Sequence, residues 1–436
     1  MLTIAALLPA VLSCLLLGAH FYRAGSVGLA AACAAVPLLF LARRGWIATA
    51  AQGLLVAGAV VWLHTTVKLA GMRQAAGQPW LRMLLILGAV AAFTAGAALL
   101  LELSRVRGWF SAHARTAAPS AVAFLLAFGT LALIQVKVQR PLLLLERFVP
   151  GAGWIEALAL AAYAAFLTEK LLDPAQVSRW RTRAWAIFSA VFFGQLALGL
   201  SGFETFLMTG KLHLPVPAMI VAGPLYRGGG LLMPILFGAA LLLVGPAWCS
   251  HLCYIGAWDN ALARTRRRPR PLPGWARHGR LAMLALVVLA ALGLRWAGVP
   301  GTVAAVAGLA FGLTGVALMV LWSRRTGTMA HCIAFCPVGW LATTLGRVSP
   351  FRMRIGSSCT ACNACTFTCR YDALRPEHLE AGRPGPNCTL CGDCLASCRT
   401  MLIEYRFPGL SPRHARAAFV VVVTVLQALF LGVARI

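Results

Sequence analysis

The sequence predicts an all-α polytopic membrane protein of about eleven transmembrane helices, with one small polar α+β domain near its C-terminus. Three observations carry this. The 436 residues are 60% hydrophobic and only 12% charged, more apolar surface than a soluble fold buries. Apolar runs of spanning length recur from one end of the chain to the other. Alternating apolar–polar segments of barrel type are absent, which leaves helices as the spanning elements.

The runs fall at about 2–20, 26–42, 46–66, 82–103, 119–137, 152–169, 184–203, 229–248, 281–299, 302–322 and 415–434. Several reach only about 17 residues, the low end for crossing the hydrocarbon. The first lacks a basic n-region and an A-x-A site, so it reads as a retained helix rather than a cleaved leader. Lys and Arg number 39 against 12 Asp and Glu, a net charge of +27. In a soluble chain this would suggest nucleic acid. Here the arginines sit between apolar runs, so the charge reads as positive-inside topology and contact with an anionic lipid bilayer, with no nucleic-acid partner.

With the N-terminus cytoplasmic, the inside loops collect Arg43 and Arg44, then Arg105, Arg107 and Arg115, then Lys170, Arg179, Arg181 and Arg183. The next is the most basic, with Arg264, Arg266, Arg267, Arg268, Arg270, Arg277 and Arg280. The outside loops are sparser. This orientation, in a bacterial inner membrane, puts residues 323–414 in the cytoplasm and the C-terminus outside. Four regions follow: N-terminal helices over 1–180, helices with two C-x3-C motifs over 181–350, the polar domain over 351–407, and a last helix over 408–436. The longest outside loop, about 204–228, is long enough to meet a partner or to fold back on the helices.

The chain contains 14 cysteines, and their C-x2-C spacing favours metal over disulfides. Cys359, Cys362, Cys365 and Cys369 read C-x2-C-x2-C-x3-C, and Cys388, Cys391, Cys394 and Cys398 repeat the spacing. A [4Fe–4S] cubane takes four thiolates, and in a two-cluster arrangement the last cysteine of each motif serves the other cluster. The expected sets are therefore Cys359, Cys362 and Cys365 with Cys398, and Cys388, Cys391 and Cys394 with Cys369. Phe351 to Ile355 and Leu402 to Phe407 alternate as paired strands would. Together these predict a two-cluster bacterial ferredoxin-like domain, for which zinc knuckles would not need the doubled spacing. Arg370 and Arg399 stand where proline usually follows such motifs. Seven arginines and five acids lie between 351 and 407, and basic surroundings raise the potential of a cluster that is itself anionic.

Two further pairs, Cys249 and Cys253 in WCSHLCYIG and Cys332 and Cys336 in HCIAFCPVG, lie at the predicted cytoplasmic ends of helices. At i and i+4 on a helix they would share a face. They offer a third cluster or metal site, with His251 and His331 as neighbouring nitrogen donors. A redox-active thiol pair near quinone is the other functional reading, and small residues at helix ends the plain one.

With these motifs in hand, the chain resembles the membrane quinol-dehydrogenase subunits of periplasmic nitrate reduction. It is equally similar to the membrane part of the nitrous-oxide reductase regulator and to the cytochrome-oxidase accessory proteins. The resemblance covers about 184–407. Cys336–Pro337 keeps that family's C-x3-C-P, whereas Tyr254 follows Cys253. It implies a membrane electron-transfer protein working between quinone or quinol, or a membrane or periplasmic redox protein, and the clusters. The alternative is a redox-linked assembly or regulatory protein for a metalloenzyme.

Weaker signals remain. His20, His64 and His213 near the outer surface are candidates for a b-type haem, though single histidines at helix ends are mostly interfacial. Glu156 and Glu204 are candidates for taking a quinol proton. Cys14 and Cys33 read as packing within apolar spans.

Overall fold

The structure is a computed structural model that describes residues 2–110, 114–206 and 214–433. Nine helices among these residues are long and apolar enough to cross a membrane. Helices also form at the two remaining expected positions. Val27–Ala42 is shorter than the others, and Gly153–Leu171 carries Glu156, Glu169 and Lys170. By contact, the chain divides into two compact units, Met1–Glu169 and Lys170–Ile436.

The first unit contains α1 (Leu2–Arg23), α2 (Val27–Leu39), α3 (Gly45–Ala75), α4 (Leu81–Leu100), α5 (Ala117–Lys137) and α6 (Gly153–Leu171). The long α3 is the spine, packing on α4 and α5. Leu17, Trp62 and Ala91 form a buried cluster where α1, α3 and α4 meet. Glu169 is buried and ion-paired with Arg44, which answers the charge that α6 carries into an apolar setting.

The second unit contains α7 (Val177–Leu200), α8 (Met219–Arg227), α9 (Leu232–Val244), α10 (Tyr254–Ala263), α11 (Ala276–Trp296), α12 (Gly301–Leu318), α13 (Pro337–Leu345) and α14 (Pro412–Val433). Between α13 and α14 lies the polar segment. Its strands β1 (Arg352–Ile355) and β2 (Ile403–Arg406) pair antiparallel, with Arg352 opposite Arg406 and Ile355 opposite Ile403, where the alternation placed them. Met353, Ile355, Ile403 and Tyr405 point inward. Phe419 of α14 closes this face, its ring 4.7 Å from Tyr405 and 5.4 Å from Phe351.

The long loop after α7 folds back. Val216 and Ala218 are buried against Val287 and Ala291 of α11. On α12, a Cβ at Gly312 would lie 2.6 Å from a Val216 methyl, so only glycine admits this approach. Gly312 is about 16 Å along α12 from Gly301, taking ~1.5 Å per residue. The loop thus runs deep among the helices, where irregular backbone is tolerated because protein surrounds it.

Candidate functional site

The two cysteine motifs fold as one shape used twice. Ala361 and Leu390 hold equivalent positions, as do Asn363 and Gly392, and Asp372 and Met401; all six have φ between 50° and 79°. Five of them carry a side chain, and each such left-handed residue costs about 1–2 kcal/mol. Strain repeated at matching positions of two loops is the mark of backbone wound around something. The same winding turns amide groups toward sulfur: the Ala373 N–H donates to Cys369 Sγ at 3.3 Å.

The thiols that influence one another electrostatically mark which sulfurs are neighbours. Cys391 and Cys388 act on Cys369, and Cys391, Cys369 and Cys388 act on Cys394. Cys398 and Cys359 act on Cys365. Cys369 is thus grouped with Cys388, Cys391 and Cys394, and Cys365 with Cys359 and Cys398, while Cys362 is exposed. Burial is the leading cause that pushes the Cys388 thiol up to about 12 and raises Cys369 and Cys394. Burial works the same way on Cys398, but the Thr400 hydroxyl and the backbone N–H groups of Leu402, Ile403 and Thr400 hold it below its ordinary value. Buried thiols of this kind ionise only with a cation beside them, and iron supplies one. The donor set, the spacing and the wound loops all fit [4Fe–4S] clusters.

The C-x3-C pairs do not lie on continuous helices as i and i+4 neighbours. A short helical turn, Trp248–His251, ends before Cys253, which is extended and caps the start of α10. Cys332 sits in the wide turn His331–Phe335, and Cys336 is extended and caps the start of α13. The backbone breaks because the second cysteine must leave one helix and open the next. Cys253 (φ −81°, ψ 111°) and Cys336 (φ −71°, ψ 115°) match closely, so Tyr254 does the work of Pro337. Each accepts the N–H groups two and three residues on: Ile255 and Gly256 for Cys253, Val338 and Gly339 for Cys336. A helix N-terminus favours negative charge, here a thiolate's.

The four sulfurs come together. Cys253 and Cys336 act on Cys249, and Cys336, Cys253 and Cys249 act on Cys332. Burial pushes the Cys253 thiol up to about 12. Asp259, wholly buried, accepts the Cys332 N–H at 3.0 Å, and burial raises its carboxyl to about 6. The guanidinium of Arg280 lies beside Cys249, Cys336 and Cys332 and donates to the Gly339 carbonyl and to Asn387 Oδ1, the latter at 2.7 Å. Among the described residues no three His, Cys, Asp or Glu side chains converge closely enough to hold a single metal ion. A cubane, whose ligands sit on separate irons, asks for a wider set.

One apolar cluster joins the two cysteine regions. Trp185, Ala257, Met329, Tyr371 and Ala373 form it, with Cys332 packed against it from the C-x3-C group and Cys369, Cys388 and Cys391 from the other motifs. The Trp185 indole donates to the Cys253 carbonyl at 2.7 Å. Polar bonds clamp the surrounding surfaces. Arg181 donates to both oxygens of Asp393, at 2.9 and 2.6 Å, and Arg264 adds a third contact at 2.6 Å. Arg370 donates to the carbonyls of Gly327 and Arg267 at 2.8 and 3.0 Å. Ser250 donates to the Thr389 carbonyl at 2.9 Å.

Asp393, Arg181, Arg264, Trp185 and Tyr371 were not singled out from the sequence as site residues. Arg370 had a signal, because it replaces the usual proline; the structure shows it as a clamp, whereas Arg399 is exposed. The weaker candidates fare differently. His251 Nδ1 is taken up by the Ser250 hydroxyl and the Ala247 carbonyl. His331 is buried with neither ring nitrogen partnered, and burial alone lowers it to about 4. His20 packs on Trp62, His64 is exposed, and His213 lies outside the described residues, so no haem pair is assembled among the described residues. Glu156 accepts the Leu145 N–H at 2.8 Å, and Glu204 is exposed. Cys14 and Cys33 are neighbours within the first unit.

Apolar spanning-length helices and cysteine-rich loops on one chain define the class: a membrane-type iron–sulfur protein. Residues 228–273 match the family described as a 4Fe-4S binding domain, a stretch that contains Cys249 and Cys253 and ends before the eight-cysteine segment. No curated protein and no solved structure matches the chain.

Proposed function

We propose that the chain is a membrane electron-transfer protein linking the quinone pool, or a redox partner in or beyond the membrane, to iron–sulfur clusters on the cytoplasmic side. Cys359, Cys362, Cys365 and Cys398 would hold one [4Fe–4S] cluster, and Cys369, Cys388, Cys391 and Cys394 a second. Cys249, Cys253, Cys332 and Cys336 would hold a third. When bound, these clusters supply one-electron transfer, which suits the splitting of an electron pair from a quinol.

The observation that carries the reading is the shared apolar cluster, with cysteines of the membrane-end group on one side and of the ferredoxin-like motifs on the other. It excludes water between the two groups and fixes their separation. Arg181, Arg264, Arg370 and Arg280 hold that arrangement and place positive charge beside thiolates. A periplasmic partner would need a further carrier, because this reading puts the clusters on the cytoplasmic side.

Iron analysis and EPR of the purified full chain test this. The expected result is three cubanes' worth of iron, falling by one in C332S/C336S with the ferredoxin-type signals kept. Unchanged iron in that variant would remove the third cluster. Absence of any cluster reduction by quinol in membranes, with dithionite reduction intact, would remove the quinone link.

A further inference from the structure

The two cysteine motifs place corresponding residues in different surroundings. Arg370 and Asp372, just after the first motif, are taken up by neighbouring loops. Arg370 bonds the Gly327 and Arg267 carbonyls, and Asp372 accepts the Leu272 N–H at 3.1 Å. Their counterparts after the second motif, Arg399 and Met401, are exposed, Met401 by 71%. The cysteines divide the same way. Cys391 packs against the apolar cluster, whereas its counterpart Cys362 is exposed.

The exposed members belong together. Cys365 has Cys398 and Cys359 as neighbours, so the chain that carries Arg399 and Met401 returns to the first motif. The Met401 N–H donates to the Cys398 carbonyl at 3.1 Å, which holds Met401 beside that sulfur's backbone. Phe367, two residues after Cys365, adds a ring that is 48% exposed. Arg268 reaches this ring from the basic loop, its guanidinium 5.0 Å from the ring centroid, a cation–π contact.

Charge of one sign surrounds these apolar groups. No acidic residue occurs in 264–271, 356–371 or 395–403. Aromatic, Met and Arg side chains are the residues enriched where proteins meet. Redox encounters use small contacts, and opposite charge steers them. An anionic lipid surface would satisfy the arginines but gives no reason to expose a cluster ligand such as Cys362.

We propose that this face docks a small acidic one-electron carrier protein of ferredoxin type, with Arg268 and Arg399 meeting its carboxylates and Phe367 and Met401 its apolar centre. The proposal rests on the electron-transfer reading above and adds the protein that exchanges electrons at the Cys362 side. One electron crosses with no bond made or broken; the carrier is oxidised and the chain reduced. That sense is downhill where basic surroundings raise the chain's potential above that of an acidic carrier.

The full iron-loaded chain in neutral-lipid nanodiscs tests this, with an acidic plant-type [2Fe–2S] ferredoxin and an acidic bacterial two-cluster ferredoxin as probes. At least one should bind in interferometry, more weakly as salt rises. R268E/R399E should slow association about tenfold, and F367A/M401A should speed dissociation. R73E/R140E, an equal charge change in the first unit, should alter neither. Stopped-flow reduction by the prereduced probe should slow in step with binding. Iron content checks each variant, and F367A/M401A decides if R268E/R399E loses iron. Equal binding in the unaltered chain and both surface variants would overturn the site, as would an equal loss in R73E/R140E. A loss in R268E/R399E confined to binding of phosphatidylglycerol vesicles would assign the arginines to lipid and overturn it too. No binding of either probe to an unaltered chain whose clusters dithionite still reduces would overturn the site and leave the electron-transfer reading standing. An unaltered chain without clusters would overturn both.

Discussion

Asp393→Asn tests whether the cysteine segment is locked onto the helices by charge. Asp393 and Arg181 are 3% and 1% exposed, and Arg181 grips both carboxylate oxygens. Removing one partner of a buried pair costs about 3–5 kcal/mol, because the other is left as an uncompensated buried charge. The Arg264 contact adds little, since that side chain is 32% exposed and screened. Asparagine keeps one acceptor, so the lower end applies, a shift of roughly two decades in the docking equilibrium. Hydrogen exchange over residues 351–407 reads this directly, and it should speed up about a hundredfold where exchange requires undocking. Because Asp393 lies between Cys391 and Cys394, iron content must be followed. R181M makes the same break from the helix side, away from the cysteine loop. The double variant R181M/D393L should recover much of the loss, since apolar replacements of buried pairs are often neutral. Unchanged exchange in both single variants would refute the argument, as would a double variant as labile as their sum.

Other consequences are smaller. G392A should lower cluster-loaded thermal stability by about 1–2 kcal/mol, since Gly392 has φ 79° and a Cβ would sit 3.1 Å from the Tyr405 hydroxyl; an unchanged melting temperature would contradict the wound-loop reading. R370A should destabilise docking by about 1.5–3 kcal/mol through its lost carbonyl contacts, while R399A at an exposed position should stay within about 0.5 kcal/mol, measured by the same exchange experiment. In a redox titration followed by EPR, at least one cluster should titrate above acidic low-potential ferredoxins. R264Q should then lower one midpoint by tens of millivolts, on the scale of ~59 mV per 1.4 kcal/mol for one electron.

Much of the second unit was legible because its signals are periodic. The period-2 runs at 351–355 and 402–407 marked the strand pair. Helix positions followed from hydropathy, but spanning competence did not. Glu169 falls inside an apolar run, and only the tertiary partner Arg44 explains its burial. Arg181 was absorbed into the inside-loop charge pattern, which explains where arginines gather and not which one turns inward. The C-x3-C pairs read as i, i+4 helix neighbours because spacing alone cannot show that the backbone leaves one helix at the second cysteine. Pro337 announced that break in one copy; in the other, Tyr254 hid it. His331 read as a donor to a metal, and its lack of partners needs the fold to be seen.

The clamp also bears on which class of function the chain supports. A cluster segment that served only to sense redox state, or to hand electrons to a maturing enzyme, could hang on a loose tether and meet its partners by diffusion. Electron relay needs fixed separations, because transfer falls away steeply with distance. Here Asp393, Arg370, Asn387 and Thr389 each bond to the helices or to the loops beside them, and all but Arg370 lie in or beside the second motif. The second motif is thus held against the C-x3-C region, while Cys362 of the first is exposed. On the proposed electron-transfer reading, that asymmetry suits a chain of centres with an inner and an outer end.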